Sequence, residues 1–364
     1  MESENNNAKD KSSKKGLIVF LKVFLISTAL LSTVIAFAAI NFYRNIGPPE
    51  IPTTQPSAIN RGPISMPSGL DNDDDSDPVM ALIAPERFLG DERRELFFTF
   101  LIVGLNEGKN ANTVMVASYD GINHEANLIS IPRDSLINVN RSNRKLSGAF
   151  LNGMVSGGGA EGGIAQVQRE VMSVVGFVPD FYVIFNYDAF KEVIDAVGGV
   201  EIYVPFHMRY DDPLQDLHID IPPGLQHMDG QTALYFARFR ESNRGFRPIT
   251  DYQRIKNQQA VIDAVLSNLM RPSNILRIPE FIEIFNNNVY TNLNFDDMLW
   301  FASQHNVIRG EDSVHFHTAP TDGSSGRPMW YEFLHAPGIV ELVNRTVNPF
   351  RENLEIGDLD IIRQ

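Results

Sequence analysis

Arg133 and Asp134 are the first residues whose types and spacing could bind a phosphate. They follow an apolar segment that ends at Ile131. A guanidinium group can donate two parallel hydrogen bonds to phosphate oxygens, and Asp134 could orient it. Loops beyond strand ends are common places for ligands in α/β proteins. An ordinary surface ion pair remains the alternative.

A second candidate anion site is formed by Arg238 and Arg240, which flank Phe239. Residues two apart point the same way on an extended backbone, so the two guanidinium groups would share a face. Phe239 would then turn towards the core. The alternative is a pair of solvated arginines.

The third candidate lies at the start of a long amphipathic segment. Asp251 is a plausible helix N-cap, and Arg254 and Gln258 follow three and seven residues later. This spacing places all three on one helix face. A glutamine on the inner side of a helix needs a hydrogen-bond partner, which a ligand oxygen could supply. An ordinary polar flank is the alternative.

The elements that must position these residues follow from apolar periodicity. Continuous apolar runs predict buried strands at 97–103 and 114–118, and the turn pair Asp120-Gly121 predicts a hairpin to a strand at 126–131. The alternation of strands and helices predicts an α/β fold, with a central mixed β-sheet covered by helices. The other predicted elements are helices 164–174, 190–197, 231–236, 251–270, 278–285, 295–304 and 338–343 and strands 181–185, 200–204 and 314–317.

Residues 23–42 are almost wholly apolar, and about 20 such residues span a bilayer. Lysines cluster between residues 9 and 15, whereas only Arg44 closely follows the apolar run, so the N-terminus is expected in the cytoplasm. We therefore expect a single-pass protein of the cell membrane whose C-terminal domain is extracellular. A cleaved signal peptide is the alternative.

Composition narrows the remaining possibilities. The net charge of -14 argues against a nucleic-acid partner, and the lack of cysteine excludes disulfides and thiolate chemistry. The chain is expected to divide into five parts. These are a cytoplasmic tail (1–15), a transmembrane signal-anchor helix (16–43), a disordered extracellular stalk (44–92), a catalytic and lipid-binding domain (93–271) and a C-terminal extension packed on that domain (272–364).

Taken together, in this order and at these intervals, the three candidate groups resemble the LytR-CpsA-Psr phosphotransferases. Further matching segments are 180–183, 198–200, 223–226 and 230–234. The resemblance implies transfer of a glycopolymer from a polyprenyl-pyrophosphate carrier, through its phosphate, to peptidoglycan, usually with magnesium or manganese. The residues that it implies for the pyrophosphate site or its neighbours are Arg133, Arg238, Arg240, Asp251, Arg254 and Gln258.

The sequence departs from the family pattern at two expected metal ligands. Members normally carry aspartates where this chain has Asn106 and Asn112. Asparagine offers a carbonyl oxygen without charge, whereas magnesium favours carboxylate and phosphate oxygens. Glu107 could substitute from the next position. Two alternative functions therefore remain. One is binding of the polyprenyl-pyrophosphate lipid without efficient transfer, and the other is hydrolysis of a pyrophosphate.

Overall fold

A computed structural model describes residues 47–51, 93–212, 217–239, 251–269, 289–304, 313–325 and 329–362. The predicted anchor and residues 52–92 of the predicted stalk lie outside these stretches. No helix within them is both long and apolar enough to cross a membrane. By their contacts the described residues fall into two units, one with Phe295–Ser303 and one with the described residues of Glu50–Asn294 and Gln304–Gln364. The second unit contains the site.

The described part of the chain contains twelve strands and seven α-helices. The strands are β1 (Phe97–Leu105), β2 (Ala111–Asp120), β3 (Glu125–Ser130), β4 (Phe181–Phe185), β5 (Val200–Val204), β6 (Met208–Asp212), β7 (Leu217–Ile221), β8 (Gly224–Met228), β9 (Val289–Thr291), β10 (Val314–Thr318), β11 (Thr321–Ser325) and β12 (Tyr331–Leu334). The helices are α1 (Ala149–Gly153), α2 (Gly159–Val175), α3 (Tyr187–Ala196), α4 (Gly230–Arg238), α5 (Asp251–Leu269), α6 (Phe295–Ser303) and α7 (Ala336–Thr346).

Six of these strands form one mixed sheet, in the order β10-β3-β2-β1-β4-β9. Strand β1 pairs antiparallel with β2 and parallel with β4, and β2 pairs antiparallel with β3. Strands β1, β3 and β4 therefore run in the same direction, and their C-terminal ends lie at one edge. Open α/β sheets bind ligands at such an edge.

Both faces of this sheet are covered by helices. On one face, Leu101 and Val103 of β1 belong to the same buried cluster as Val167 of α2. On the other face, Ile102 and Ile262 of α5 pack against a second cluster. Since successive side chains of a strand point to opposite faces, a strand covered on both sides is apolar throughout. The predicted central mixed sheet covered by helices is thus confirmed.

The hairpin predicted at Asp120-Gly121 is confirmed, because β2 and β3 pair on either side of it. The predicted helix 231–236 is longer in the structure and begins at Gly230, since the Asp229 carboxylate accepts a hydrogen bond from the Thr232 amide at 2.8 Å. The predicted helix 278–285 lies outside the described residues. Strands β9 and β10 come from beyond residue 272 and extend the main sheet on both sides, while the predicted division at 271/272 stays a prediction.

Gly230 sets how closely helix α4 approaches helix α3. A Cβ atom at this position would lie 2.3 Å from the carbonyl oxygen of Lys191 on α3. We therefore expect Gly230→Ala to lower the free energy of unfolding by about 1–3 kcal/mol, because the helices must move apart. Chemical denaturation of the purified chain measures this loss. Gly357→Ala is the control, since its Cβ would meet nothing within 4 Å, and equal stability of both variants would contradict the prediction.

Candidate active site

A cavity of about 600 Å³ lies at the edge of the sheet where β1, β3 and β4 end. It is lined by Gly104 and Phe185 near the ends of β1 and β4, and by Arg133 after β3. Residues at the start of α3, at the end of α4, in the N-terminal two-thirds of α5 and in the hairpin β6–β7 also line it. The sheet thus brings distant parts of the sequence to one opening.

Three arginines from separate segments line this cavity: Arg133, Arg238 and Arg254. Arg254 is only 6% exposed, and charges removed from water interact more strongly than charges in solution. Among the described lining residues, Glu107 is the one carboxylate. An acidic chain therefore contains a local site with excess positive charge, which suits an anionic ligand.

The structure assigns positions to most of the other predicted site residues. Gln258 lies one turn after Arg254 and lines the same cavity. Helix α5 begins at Asp251, one turn before Arg254. Arg240 lies outside the described residues. Asn106, directly after β1, and Asn112, the second residue of β2, both line the cavity.

Two local predictions are wrong. Asp134 does not orient Arg133, because its carboxylate pairs with the Lys145 ammonium at 3.0 Å. Arg238 is not on an extended backbone but ends helix α4. Phe239 follows outside the helix and is fully buried, as expected, so the helix ends two residues later than predicted.

Asn112 holds Arg133 in place of the predicted Asp134. The Arg133 Nη1 atom donates to the Asn112 Oδ1 atom at 2.6 Å. Asn112 Nδ2 in turn donates to the hydroxyl oxygen of Tyr187 at 2.5 Å. The Nε atom of Arg133 is buried and has no hydrogen-bond partner within the described part of the chain. Because a buried unpaired donor is costly, this Nε–H is suited to an anion in the cavity.

Tyr187 was missed by the sequence reasoning, although it lies among the arginines. Its ring lies under Arg238, with 4.8 Å from the guanidinium carbon to the ring centroid. Burial raises the pKa of the phenol above its ordinary value of 10.0, although Arg238 and Arg133 act to lower it. The hydroxyl therefore keeps its proton at neutral pH. The signal that could have identified Tyr187 is its place two residues after β4, whose end lies beside that of β1.

The side chains at Asn106 and Asn112 do not fit a magnesium or manganese ion. The Asn106 Oδ1 atom accepts the Asn110 amide at 2.9 Å, and the Asn112 Oδ1 atom faces the Arg133 cation. Hard divalent cations favour charged oxygen ligands, and a guanidinium group opposes them. Within the described residues, no three His, Cys, Asp or Glu side chains cluster as a metal site would require.

The loop that carries Arg133 is fixed by a buried ion pair. Glu170 of α2 is 2% exposed and accepts hydrogen bonds from both terminal nitrogens of Arg141. Arg141 also donates to the Lys145 carbonyl at 2.7 Å. Two residues after Lys145, the Ser147 amide donates to the Arg133 carbonyl at 2.9 Å. The ion pair of Arg141 and Glu170 therefore supports the backbone of the site.

Comparison with known proteins gives a consistent family match. Residues 66–347 match the model of the LytR_cpsA_psr family. The chain is 27% identical over 214 residues to polyisoprenyl-teichoic acid–peptidoglycan teichoic acid transferase TagV of Bacillus subtilis, covering 56% of this chain and 51% of that protein. It is 24% identical over 240 residues to TagU of Bacillus licheniformis, covering 64% and 72%. The chain thus spans about half the length of the first relative.

Solved structures show the same fold. The crystal structure of Bacillus subtilis TagV superposes with a TM-score of 0.55 at 22% identity, covering 68% of this chain and 95% of that one. Protein gbs0355 of Streptococcus agalactiae superposes with a TM-score of 0.59 at 18% identity, covering 73% and 92%. At these identities the likeness shows the fold alone.

Proposed function

Because the chain belongs to the LytR-CpsA-Psr family, we propose that it is a phosphotransferase that moves an anionic glycopolymer from a polyprenyl-pyrophosphate carrier to peptidoglycan. The observation that carries this proposal is the meeting of Arg133, Arg238 and Arg254 at one cavity. The names of TagV and TagU, which describe polyisoprenyl-teichoic acid–peptidoglycan transfer, support the same class of reaction.

The reaction exchanges one phosphorus–oxygen bond for another. A hydroxyl oxygen of peptidoglycan attacks the phosphorus next to the sugar, and the bond from that phosphorus to the bridging oxygen breaks. Polyprenyl phosphate leaves with the bonding electrons, and the hydroxyl proton passes to a carboxylate. Glu107, which lines the cavity, and Asp251, which the family resemblance implies for the site, are the candidates for that carboxylate.

The arginines would act by position and charge. Phosphoryl transfer spreads negative charge over the non-bridging oxygens, and catalysis of it consists mainly of positioning and charge neutralisation. Arg133 and Arg254 hold their charges in a partly water-excluded site, where such stabilisation is stronger than in solution. Gln258 adds an amide donor on the same helix face as Arg254.

The apolar part of the lining suits the lipid portion of the carrier. Phe185, Phe190, Leu234 and Ile262 lie around the same cavity as the arginines. Apolar surface favours a polyprenyl chain over water by the hydrophobic effect. A retained anchor at 16–43 would keep the domain beside the membrane in which such a carrier resides, with the domain on the extracellular side.

A coupled assay tests the proposal. The purified chain is mixed with a lipid-pyrophosphate-linked oligosaccharide and peptidoglycan, with EDTA, magnesium or manganese in separate reactions. The expected result is sugar phosphate bound covalently to peptidoglycan together with release of polyprenyl phosphate. Lack of coupled product in all three conditions would refute the transferase function. Release of phosphate without an acceptor would indicate a pyrophosphate hydrolase instead.

A second candidate function is binding of the lipid pyrophosphate without transfer. The asparagines at 106 and 112 favour it, since both replace the charged oxygens that the family resemblance implies. Retention of the lipid carrier by the purified chain, with no turnover on any acceptor, would support this reading. Turnover by the unmodified chain would exclude it.

A further inference from the structure

The direction of the hydrogen bonds around Asn112 is fixed by Arg133. A guanidinium group has donors and no acceptor, so the amide oxygen of Asn112 must face it. The amide nitrogen is then the atom that faces Tyr187, and it donates to the hydroxyl oxygen. Both hydrogen bonds therefore run the same way, from Arg133 to Asn112 and from Asn112 to Tyr187.

This direction leaves the hydroxyl proton of Tyr187 available. The oxygen of Tyr187 accepts from Asn112, so its own proton points elsewhere, and Tyr187 lines the cavity. Within the described residues, no side chain or carbonyl accepts that proton. A hydroxyl that is partly removed from water needs an acceptor, and an anion in the cavity can supply one.

We propose that Tyr187 is an anion-binding residue, whose hydroxyl donates to a phosphate oxygen at the end of a donor chain Arg133–Asn112–Tyr187. The identity of the anion as a pyrophosphate rests on the proposed function. Asn112 thereby orients a donor instead of holding a metal ion. Tyr187 and Arg133 both line the cavity, and the Nε–H of Arg133 has no partner within the described residues. Together they bind pyrophosphate without a divalent cation at this position.

The residue type at position 112 decides between two kinds of site. An aspartate there would accept hydrogen bonds from both Arg133 and Tyr187, because a carboxylate has no donor. The Tyr187 proton would then turn away from the cavity, and the added negative charge would oppose an anion and favour a cation. With asparagine the same geometry presents donors to the cavity.

The electrostatic surroundings agree with this role. Burial raises the pKa of Tyr187, so the hydroxyl remains a donor throughout the neutral range. Arg238 and Arg133 face it with positive charge, and Glu107 faces it with negative charge. A donor chain that starts at a cation strengthens each following bond by polarisation.

Binding of inorganic pyrophosphate to the full chain tests the proposal, by calorimetry in detergent with EDTA present. Tyr187→Phe is expected to weaken binding about 10-fold, since a hydrogen bond to a charged group is lost. Asn112→Asp should weaken it at least as much. In the Asn112→Asp background, the further change Tyr187→Phe should cost less than about 2-fold, because the hydroxyl already donates to the aspartate. Tyr182→Phe is the matched control, since Tyr182 packs against the main core away from the cavity.

The outcomes separate this inference from the proposed function. Equal losses from Tyr187→Phe in both backgrounds would mean a structural role and overturn the inference. An unchanged affinity of Tyr187→Phe would overturn it as well, while bound pyrophosphate would still support the proposed function. Binding by the unmodified chain only when magnesium is added would also refute the donor chain and leave the transferase standing. No binding in either condition would count against both.

Discussion

Replacing Arg133 with alanine is expected to lower the rate of the proposed glycopolymer transfer by about 100- to 1,000-fold, the usual loss when one preorganised donor to a developing anion is removed. Arg133 lies at the C-terminal edge of the sheet, and Asn112 holds one end of its guanidinium group. Its buried Nε–H has no partner within the described residues. The contact with Asn112 fixes the guanidinium group that carries this Nε–H. The variant loses both the charge and this donor.

The measurement is the initial rate of coupled product at saturating and at limiting lipid substrate. Arg351→Ala is the control, since Arg351 is exposed and does not line the cavity. Arg133→Lys should recover little activity, because an ammonium group cannot contact Asn112 and a phosphate with the same planar geometry. A rate of Arg133→Ala within a few-fold of the unmodified chain would remove Arg133 from the site.

The sequence predicts the sheet well because its strands carry local signals. The apolar run of β1 and the turn at Asp120-Gly121 depend on neighbours in the sequence, and both appear in the structure. The partner of Arg133 could not be predicted in the same way. Asp134 is adjacent in the chain but pairs with Lys145, whereas Asn112 is 21 residues away and meets Arg133 only after β2 and β3 have paired.

The same reasoning explains why Tyr187 and the end of helix α4 were not predicted. A tyrosine at the start of a helix has no distinctive pattern, and its place beside Arg238 follows from the packing of α3 against α4. The helix continues to Arg238 because tertiary packing buries its last turn. The two-residue spacing of Arg238 and Arg240 in the sequence carries no information about that packing. The types and spacing of residues in the sequence thus predict which residues belong to the site, but not which side chains they contact.

The buried pair of Arg141 and Glu170 has the largest expected effect on stability. We expect Glu170→Ala to lower the free energy of unfolding by about 3–5 kcal/mol, because it leaves the Arg141 charge buried without its partner. The Arg141 side chain is 10% exposed and the Glu170 side chain 1% exposed, so water cannot replace the lost contact. Gln166 also donates to Glu170, at 2.7 Å, and loses its acceptor in the same variant.

Thermal and denaturant unfolding of the purified chain measure this loss, with Glu161→Ala as the control on the same helix. Glu161 is exposed, so its replacement should change stability by less than about 1 kcal/mol. Equal stability of the two variants would mean that the pair adds nothing beyond a surface charge. Arg133→Ala should show the opposite combination, with unfolding nearly unchanged and transfer lost. A Glu170→Ala protein that is folded at low temperature should still lose some activity, because the loop held by Arg141 contacts the backbone of Arg133 through Ser147.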